Sequence, residues 1–139
     1  GYKMGLEAAG IEYDGELVLP CHYRAKEGYD ATEKICAMPP EKRPTAIFFA
    51  QDLLAAGGYR YFYEHGFRVP EDFSLMGYEN LSLSVYMNPR LSTVDWKKSI
   101  MTEKACSMLL DRLKKPRSEN GGVVVPCDII RRESVLNIN

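Results

Sequence analysis

Nothing in this sequence approaches the ~18 consecutive apolar residues that a membrane helix requires. Nor does it open on a charged-then-apolar leader with a small-residue cleavage site. Both absences argue against a membrane-embedded or signal-bearing chain as it stands. Charge imbalance is missing too: 18 Lys and Arg stand against 19 Asp and Glu, for a net charge of -1. A nucleic-acid face needs clustered cations to neutralise phosphates, so these residues are not expected to hold DNA themselves. The largest basic groups are "DRLKKPR" (Asp111 to Arg117) and Arg131-Arg132, and the first reads as a solvated helix end with a loop rather than a groove contact.

Reactive chemistry is also sparse. The two histidines, His22 and His65, fall in different elements. The four cysteines, Cys21, Cys36, Cys106 and Cys127, are widely spaced, with no CxxC and no histidine at ligand spacing. No metal site is expected. The thiols read as buried, reduced small hydrophobes, which suits a cytoplasmic setting. There is no GxSxG and no GxGxxG, so neither an activated serine nor a dinucleotide loop is indicated, and no cofactor is expected. Repeats and low-complexity stretches are absent. The chain begins with Gly inside a helical pattern, which reads as a piece of something longer.

What is present is alternation. "YKMGLEAAG" is a helix stopped at Gly10, and "ELVLP" (Glu16 to Pro20) reads as a short buried strand. A helix over Glu27 to Met38 is ended by Pro39-Pro40, since proline disfavours helix at the residue before it. "TAIFFA" (Thr45 to Ala50) is a second strand. A helix runs from Asp52, placed as its N-cap, to a stop at Gly66. Gly57 and Gly58 inside that helix cost about 1 kcal/mol each against alanine, and so predict close packing on a strand or on another chain. "FSLMGY" (Phe73 to Tyr78) is a third strand, "LSTVD" a short extended piece, and Trp96 to Leu113 a helix with a broad apolar arc. Two extended segments around "VVVPCDIIRRESV" close the chain. Short apolar strands alternating with helices predict an α/β fold, a parallel sheet with helices on both faces.

In such sheets ligands bind beyond the carboxyl ends of the strands. Polar residues recur there: His22, Tyr23 and Arg24 after the first strand, Gln51 and Asp52 after the second, Glu79 and Asn80 after the third. Carboxylates and amides exchange hydrogen bonds with neighbouring hydroxyls, and an aromatic face covers a sugar ring or a base. The set therefore suits a hydroxylated small molecule. Asp52 and Glu79 are also the one acid-base pair on offer, but no neighbourhood specific to a reaction accompanies them. The chain reads as a non-enzyme.

The run "RPTAIFFAQDLLAAGGYRYFYEHGFRVPEDFSLMGYEN" (Arg43 to Asn80) resembles the most characteristic stretch of the lactose and galactose repressor family. There a strand ends in Asn-Asp, a helix follows, and G-x-x-V-P-x-D-x-S-x-x-G-[FY]-[DE] leads to the next strand. Gly66, Val69, Pro70, Asp72, Ser74, Gly77, Tyr78 and Glu79 match that pattern. "NPRLSTVDW" resembles the family's crossover, "IIRRES" its near-terminal Arg-Glu-Ser, and the opening its helix after an effector-binding arginine.

The resemblance implies a periplasmic-binding-protein-like (type I) effector domain of a bacterial transcriptional regulator, more often a repressor, cut to its C-terminal part. Residues 1–90 would form the C-terminal lobe, 91–120 the crossover and a helix of the N-terminal lobe, and 121–139 the return. It implies a sugar-like effector, operator DNA bound only through a helix-turn-helix outside these residues, and a homodimer pairing through the Gly57-Gly58 helix and the loop Leu81 to Met87. It implies no membrane and no metal. Tyr23 matches the aromatic that stacks on the ligand, Gln51 and Asp52 the polar pair, and Glu79 the acidic contact. Trp96 reads equally as a cleft lining and as a core tryptophan. Gln51 replaces the usual Asn and Glu79 the usual Asp, each one methylene longer, so the family's ligands do not carry over. The arc on Trp96 to Leu113 is expected to be covered by folding back or by docking on a second chain. A secreted solute-binding protein and a sugar-acting enzyme are the competing readings.

Overall fold

The computed structural model describes residues 1–114 and 121–137. The ends of two expected features, the 91–120 segment with its basic stretch and the 121–139 return, thus lie partly outside the described residues. The elements are helix α1 (Tyr2–Ala8), α2 (Ala25–Cys36), strand β1 (Ala46–Phe48), α3 (Asp52–His65), β2 (Ser74–Tyr78), β3 (Ser92–Asp95), α4 (Lys98–Lys114) and β4 (Asp128–Ile130). The sheet order is β1-β2-β3-β4. β1, β2 and β3 run parallel, whereas β4 pairs antiparallel to β3, Val94 opposite Ile129. The sheet is therefore mixed. Its antiparallel edge arises because the chain leaves along β3, runs through α4 and comes back beside the strand it left.

One face of the sheet carries the core. Ile47, Leu75 and Thr93 lie on it by register and are buried. Against it α3 brings Leu54, Ala55 and Phe62, and Phe62 stacks on Phe73 at 4.8 Å between ring centroids, with Phe67 edge-on to both. α3 ends where Gly66 turns left-handed at φ 74°, a conformation that costs glycine little. The opposite face is open at its two edges among the described residues, with Phe48 56% and Ile129 62% exposed, while Met76, Tyr78 and Val94 between them are half-buried.

Gly57 sits where α3 crosses α2. A Cβ there would lie 1.8 Å from the Ala25 carbonyl oxygen, and one on Gly28 would lie 2.0 Å from that of Leu54. The helix glycines thus answer to contacts within one chain: Gly57 to a helix, and Gly58 to the Phe49 ring just past β1.

Several expectations give way. Glu16 to Pro20 forms no strand: Gly15–Leu17 is a 3-10 turn, with Asp14 accepting from the Glu16 N–H at 2.8 Å. Pro20 has no N–H for a ladder. Leu19 and Cys21 nevertheless pack on the core. The closing segments supply one strand, not two, and residues 121–127 pair with nothing among the described residues. The helix expected from Trp96 begins at Lys98, because the Asp95 carboxylate takes the Lys97 N–H at 2.8 Å and holds Lys97 at φ 54°. No described residue of α4 is buried, and Leu109 and Leu113 are 61% and 69% exposed, so the helix does not fold back.

The thiols also differ from expectation. Cys36 is buried, whereas Cys127 is exposed, as is Cys106 on α4, a helix with no buried residue among those described. Burial pushes the Cys36 thiol up to about 11, with Arg43 opposing. Alkylation of the 139-residue chain at pH 8, read by mass spectrometry, should modify Cys106 and Cys127 readily and Cys36 only after unfolding. Equal rates at all three would contradict this packing.

Candidate functional site

β1, β2 and β3 are parallel, so their carboxyl ends open on one edge, where Gln51, Glu79 and Asp95 follow in turn. Gln51 and Glu79 are both half-buried, and the Gln51 amide Nε2 donates to Glu79 Oε1 at 3.3 Å. The bond leaves the Gln51 side-chain Oε1 and the second Glu79 carboxylate oxygen as acceptors at the rim. Glu79 and Asn80 both have positive φ, 111° and 49°. Asn80 lies close to the left-handed region that asparagine tolerates, whereas the Glu79 φ is strained for a non-glycine residue and persists only where the surroundings over-determine it.

Those surroundings are a polar network. The Asn80 N–H donates to Thr93 Oγ1 at 3.3 Å, its amide Nδ2 to Asp95 Oδ2 at 3.3 Å, and its Oδ1 accepts from Arg132 Nη2 at 2.8 Å. Asp52 lies beneath and is fully buried. Thr93 Oγ1 donates to its Oδ1 at 2.6 Å and the Leu81 N–H to its Oδ2 at 2.7 Å. Space for this carboxylate comes from Gly77, where a Cβ would stand 2.2 Å from Asp52 Oδ1. Burial raises the Asp52 pKa, opposed by the Thr93 and Leu81 hydrogen bonds and then by Arg132.

Asp52 is therefore not the N-cap. Gln51 holds that position, without a side-chain cap, and Asp52 is the first helical residue. Its oxygens turn away from the helix because the N–H of Leu81 and the hydroxyl of Thr93 claim them, and no exposed surface remains for a ligand. Of the five expected site residues, Gln51 and Glu79 touch, and Asp52 underpins them through the 79–81 step. Tyr23 stands apart, 68% exposed one residue before the Arg24 N-cap of α2. Trp96 is half-buried, and its indole N–H is buried without a partner among the described residues.

Asn80 was legible as a strand-end polar residue, whereas the roles of Gly77, Thr93 and Arg132 were not. No spacing rule assigns Thr93 or Arg132 to a carboxylate and an amide 41 and 52 residues earlier. Among the described residues no group of three His, Cys, Asp or Glu is placed to hold a metal. A separate hollow of about 350 Å³ lies between α3 and the 82–85 turn, lined by Tyr59, Arg60, Tyr63, Leu83, Tyr86 and Met87. None of Gln51, Asp52, Glu79 and Asn80 lines it.

A mixed sheet with its polar groups gathered beyond parallel strand ends defines a ligand-binding α/β domain. Residues 1–135 match the family model of the periplasmic binding protein-like domain, and the chain belongs to that family, in the lactose and galactose repressor branch, as part of its effector domain. The HTH-type transcriptional repressor PurR of Erwinia tasmaniensis is 36% identical over 137 residues, 99% of this chain and 40% of that protein. The ribose operon repressor of Haemophilus influenzae is 30% identical over 138 residues, 99% of this chain and 41% of that one. A putative LacI transcriptional regulator from Bacillus cereus superposes with a TM-score of 0.93 at 27% identity, over 100% of this chain and 49% of that one. A LacI-family regulator from Enterococcus faecium with bound ribose gives 0.87 at 28% identity, over 99% and 50%. The chain thus spans about two fifths of the length of the curated relatives it matches.

Proposed function

We propose that these residues form the effector-binding and dimerisation part of a cytoplasmic, non-enzymatic transcriptional regulator that senses a hydroxylated small molecule, most simply a sugar. The observation that carries this is the Gln51–Glu79 pair, joined at 3.3 Å on a strand-end edge and built on a buried polar network. Its free acceptors suit sugar hydroxyls, and Tyr23 offers an exposed ring to cover one. Relatives of matching fold include regulators solved with ribose and with cellobiose.

Residues 91–120 are assigned to a second lobe, with 1–90 and 121–139 in the first. An α4 with no buried residue among those described and the side-by-side departure and return of β3 and β4 support this division. Cys106 should then be alkylated in the fragment and protected in the complete protein. The exposed Tyr63 and Tyr86 at the hollow beside α3, 81% and 86% exposed, support a homodimer seam there. Operator DNA is assigned to a helix-turn-helix outside these residues. The effector acts by binding open and closed lobes unequally, which is linkage between two sites.

A thermal-shift screen of sugars, nucleobases and amino acids on the complete protein tests this reading. Glu79→Gln should weaken the best binder by about 10- to 100-fold, the range for a lost charge-assisted hydrogen bond. A complete protein without a DNA-binding head, or with operator affinity indifferent to every cleft ligand, would end the proposal. Turnover of a sugar abolished by Glu79→Gln with binding intact would favour the enzyme reading instead.

A further inference from the structure

Arg132 follows β4, and its guanidinium reaches three acceptors in the segment that carries the site. Nη1 donates to Ser84 Oγ at 3.0 Å and to the Leu91 carbonyl at 2.6 Å, and Nη2 donates to Asn80 Oδ1 at 2.8 Å. One planar fork thereby joins the start of the loop after β2, the turn within it and the last residue before β3. The backbone of Arg132 is fixed as well: its N–H donates to Ser92 Oγ at 2.9 Å, and Ser92 Oγ donates back to the Arg132 carbonyl at 3.2 Å. Two residues on, Ser134 is buried, with Oγ donating to the Leu75 carbonyl at 2.6 Å and accepting from the Ser92 N–H at 2.8 Å. The fork is thus mounted on the sheet, not on a free tail.

What it holds is the strained step. Asn80, at φ 49°, follows Glu79, at φ 111°, and Glu79 carries the carboxylate that meets Gln51. Asn80 is gripped on both atoms of its amide, Oδ1 by Arg132 and Nδ2 by Asp95. Releasing one grip frees the residue to leave the left-handed region, and the Glu79 side chain swings with it. Lysine offers a point charge and cannot span three acceptors in the plane that the guanidinium occupies.

We infer that Arg132 is a positioning residue for effector recognition: without touching the ligand, it fixes the Glu79–Asn80 step and so aims the Glu79 carboxylate into the cleft. The inference rests on the proposed effector site and extends it to a residue 53 positions later in the chain, at 132 against 79.

The experiment uses the complete protein, with Arg132→Gln, Arg132→Lys, Glu79→Gln and the Arg132→Gln/Glu79→Gln double variant. In the ligand-free arm, hydrogen exchange read by mass spectrometry should accelerate at least 10-fold over residues 79–84 in Arg132→Gln, with α2 and α3 unchanged. Unchanged exchange over 79–84 overturns the inference whatever binds. In the second arm, titration calorimetry with ribose, cellobiose, sucrose, adenine and guanine takes whichever binds the wild-type protein. Arg132→Gln should weaken it about 10-fold or more, Arg132→Lys should restore part of that, and the double variant should bind no worse than Glu79→Gln alone. Losses that multiply fully in the double variant show Arg132 acting elsewhere and overturn the inference. Failure of the wild-type protein to bind any of the five counts against the effector reading instead, and the exchange arm then decides on Arg132.

Discussion

Gly57→Ala is expected to lower the unfolding free energy by about 3 kcal/mol or more, although alanine is the better helix former. The propensity term favours the variant by about 1 kcal/mol. Against it stands a methyl 1.8 Å from the Ala25 carbonyl oxygen and 2.6 Å from the Tyr29 nitrogen, both backbone atoms of α2. No rotamer relieves that contact, so the helices must part, and every side chain between them loses van der Waals partners. Gly28→Ala meets the same crossing from the other side, at the Leu54 carbonyl. The two losses should therefore not add, since the first methyl already separates the helices. Gly58→Ala meets a ring edge, Phe49 Cζ at 2.6 Å, and the Thr32 hydroxyl at 3.0 Å, groups with some freedom to shift. A smaller loss of about 1 to 2 kcal/mol is expected there. Gly5→Ala in α1 has open space around it and should gain about 0.5 to 1 kcal/mol where that helix is formed. Urea midpoints for the four variants give the ranking. Gly57→Ala as stable as wild type would mean that α2 and α3 do not cross at this distance.

How far the sequence reveals this architecture depends on the range of the interaction. α3 was readable because its signals are local: a polar pair at its start, an apolar face, and Gly66 at its end. β2 was readable for the same reason, its buried Leu75 and Gly77 alternating with half-buried neighbours. Glu16 to Pro20 has the composition of a strand, but a strand exists only with a partner, and β1 does not pair with it. The direction of β4 is not a local property either, because periodicity is the same for parallel and antiparallel strands. The broad apolar arc of α4 marks a helix, but the expectation that folding back covers the arc is not met, since no described residue of α4 is buried. At the site, the edge and its Gln51–Glu79 pair follow from the strand ends. The assignment of Asp52 as a cap failed because its true partners, Leu81 and Thr93, lie 29 and 41 residues away.

Those partners set the expected result for Asp52. Asp52→Ala should cost about 4 kcal/mol, since it strips the acceptor from the Leu81 N–H and from the Thr93 hydroxyl in a place where water does not replace it. Each orphaned donor is worth about 1 to 3 kcal/mol, and the vacated volume adds to it. That is a large part of the 5 to 15 kcal/mol typical of a domain. Asp52→Asn keeps the shape. Its carbonyl accepts from Leu81 and its amide donates to Thr93 Oγ1 once the hydroxyl rotates, so a loss nearer 1 kcal/mol is expected. The pair also makes a pH prediction. Burial raises the folded pKa of Asp52 above the ordinary 3.8, so the folded state keeps this proton to a higher pH than the unfolded chain does. Between those two values the folded form binds more protons, and the Asp52 contribution to stability falls as pH rises. Compared with Asp52→Asn, which cannot titrate, the wild-type protein should therefore gain stability as pH drops through that window toward 3.8 and gain no more below it. Exposed carboxylates such as Glu133 and Asp72, whose pKa values are lowered by arginine partners, oppose this in the wild-type curve. They are common to both proteins and cancel in the difference. Paired urea titrations across acid pH isolate the term; a difference that is flat, or that grows with rising pH, would mean that Asp52 is not buried as a strained carboxylate.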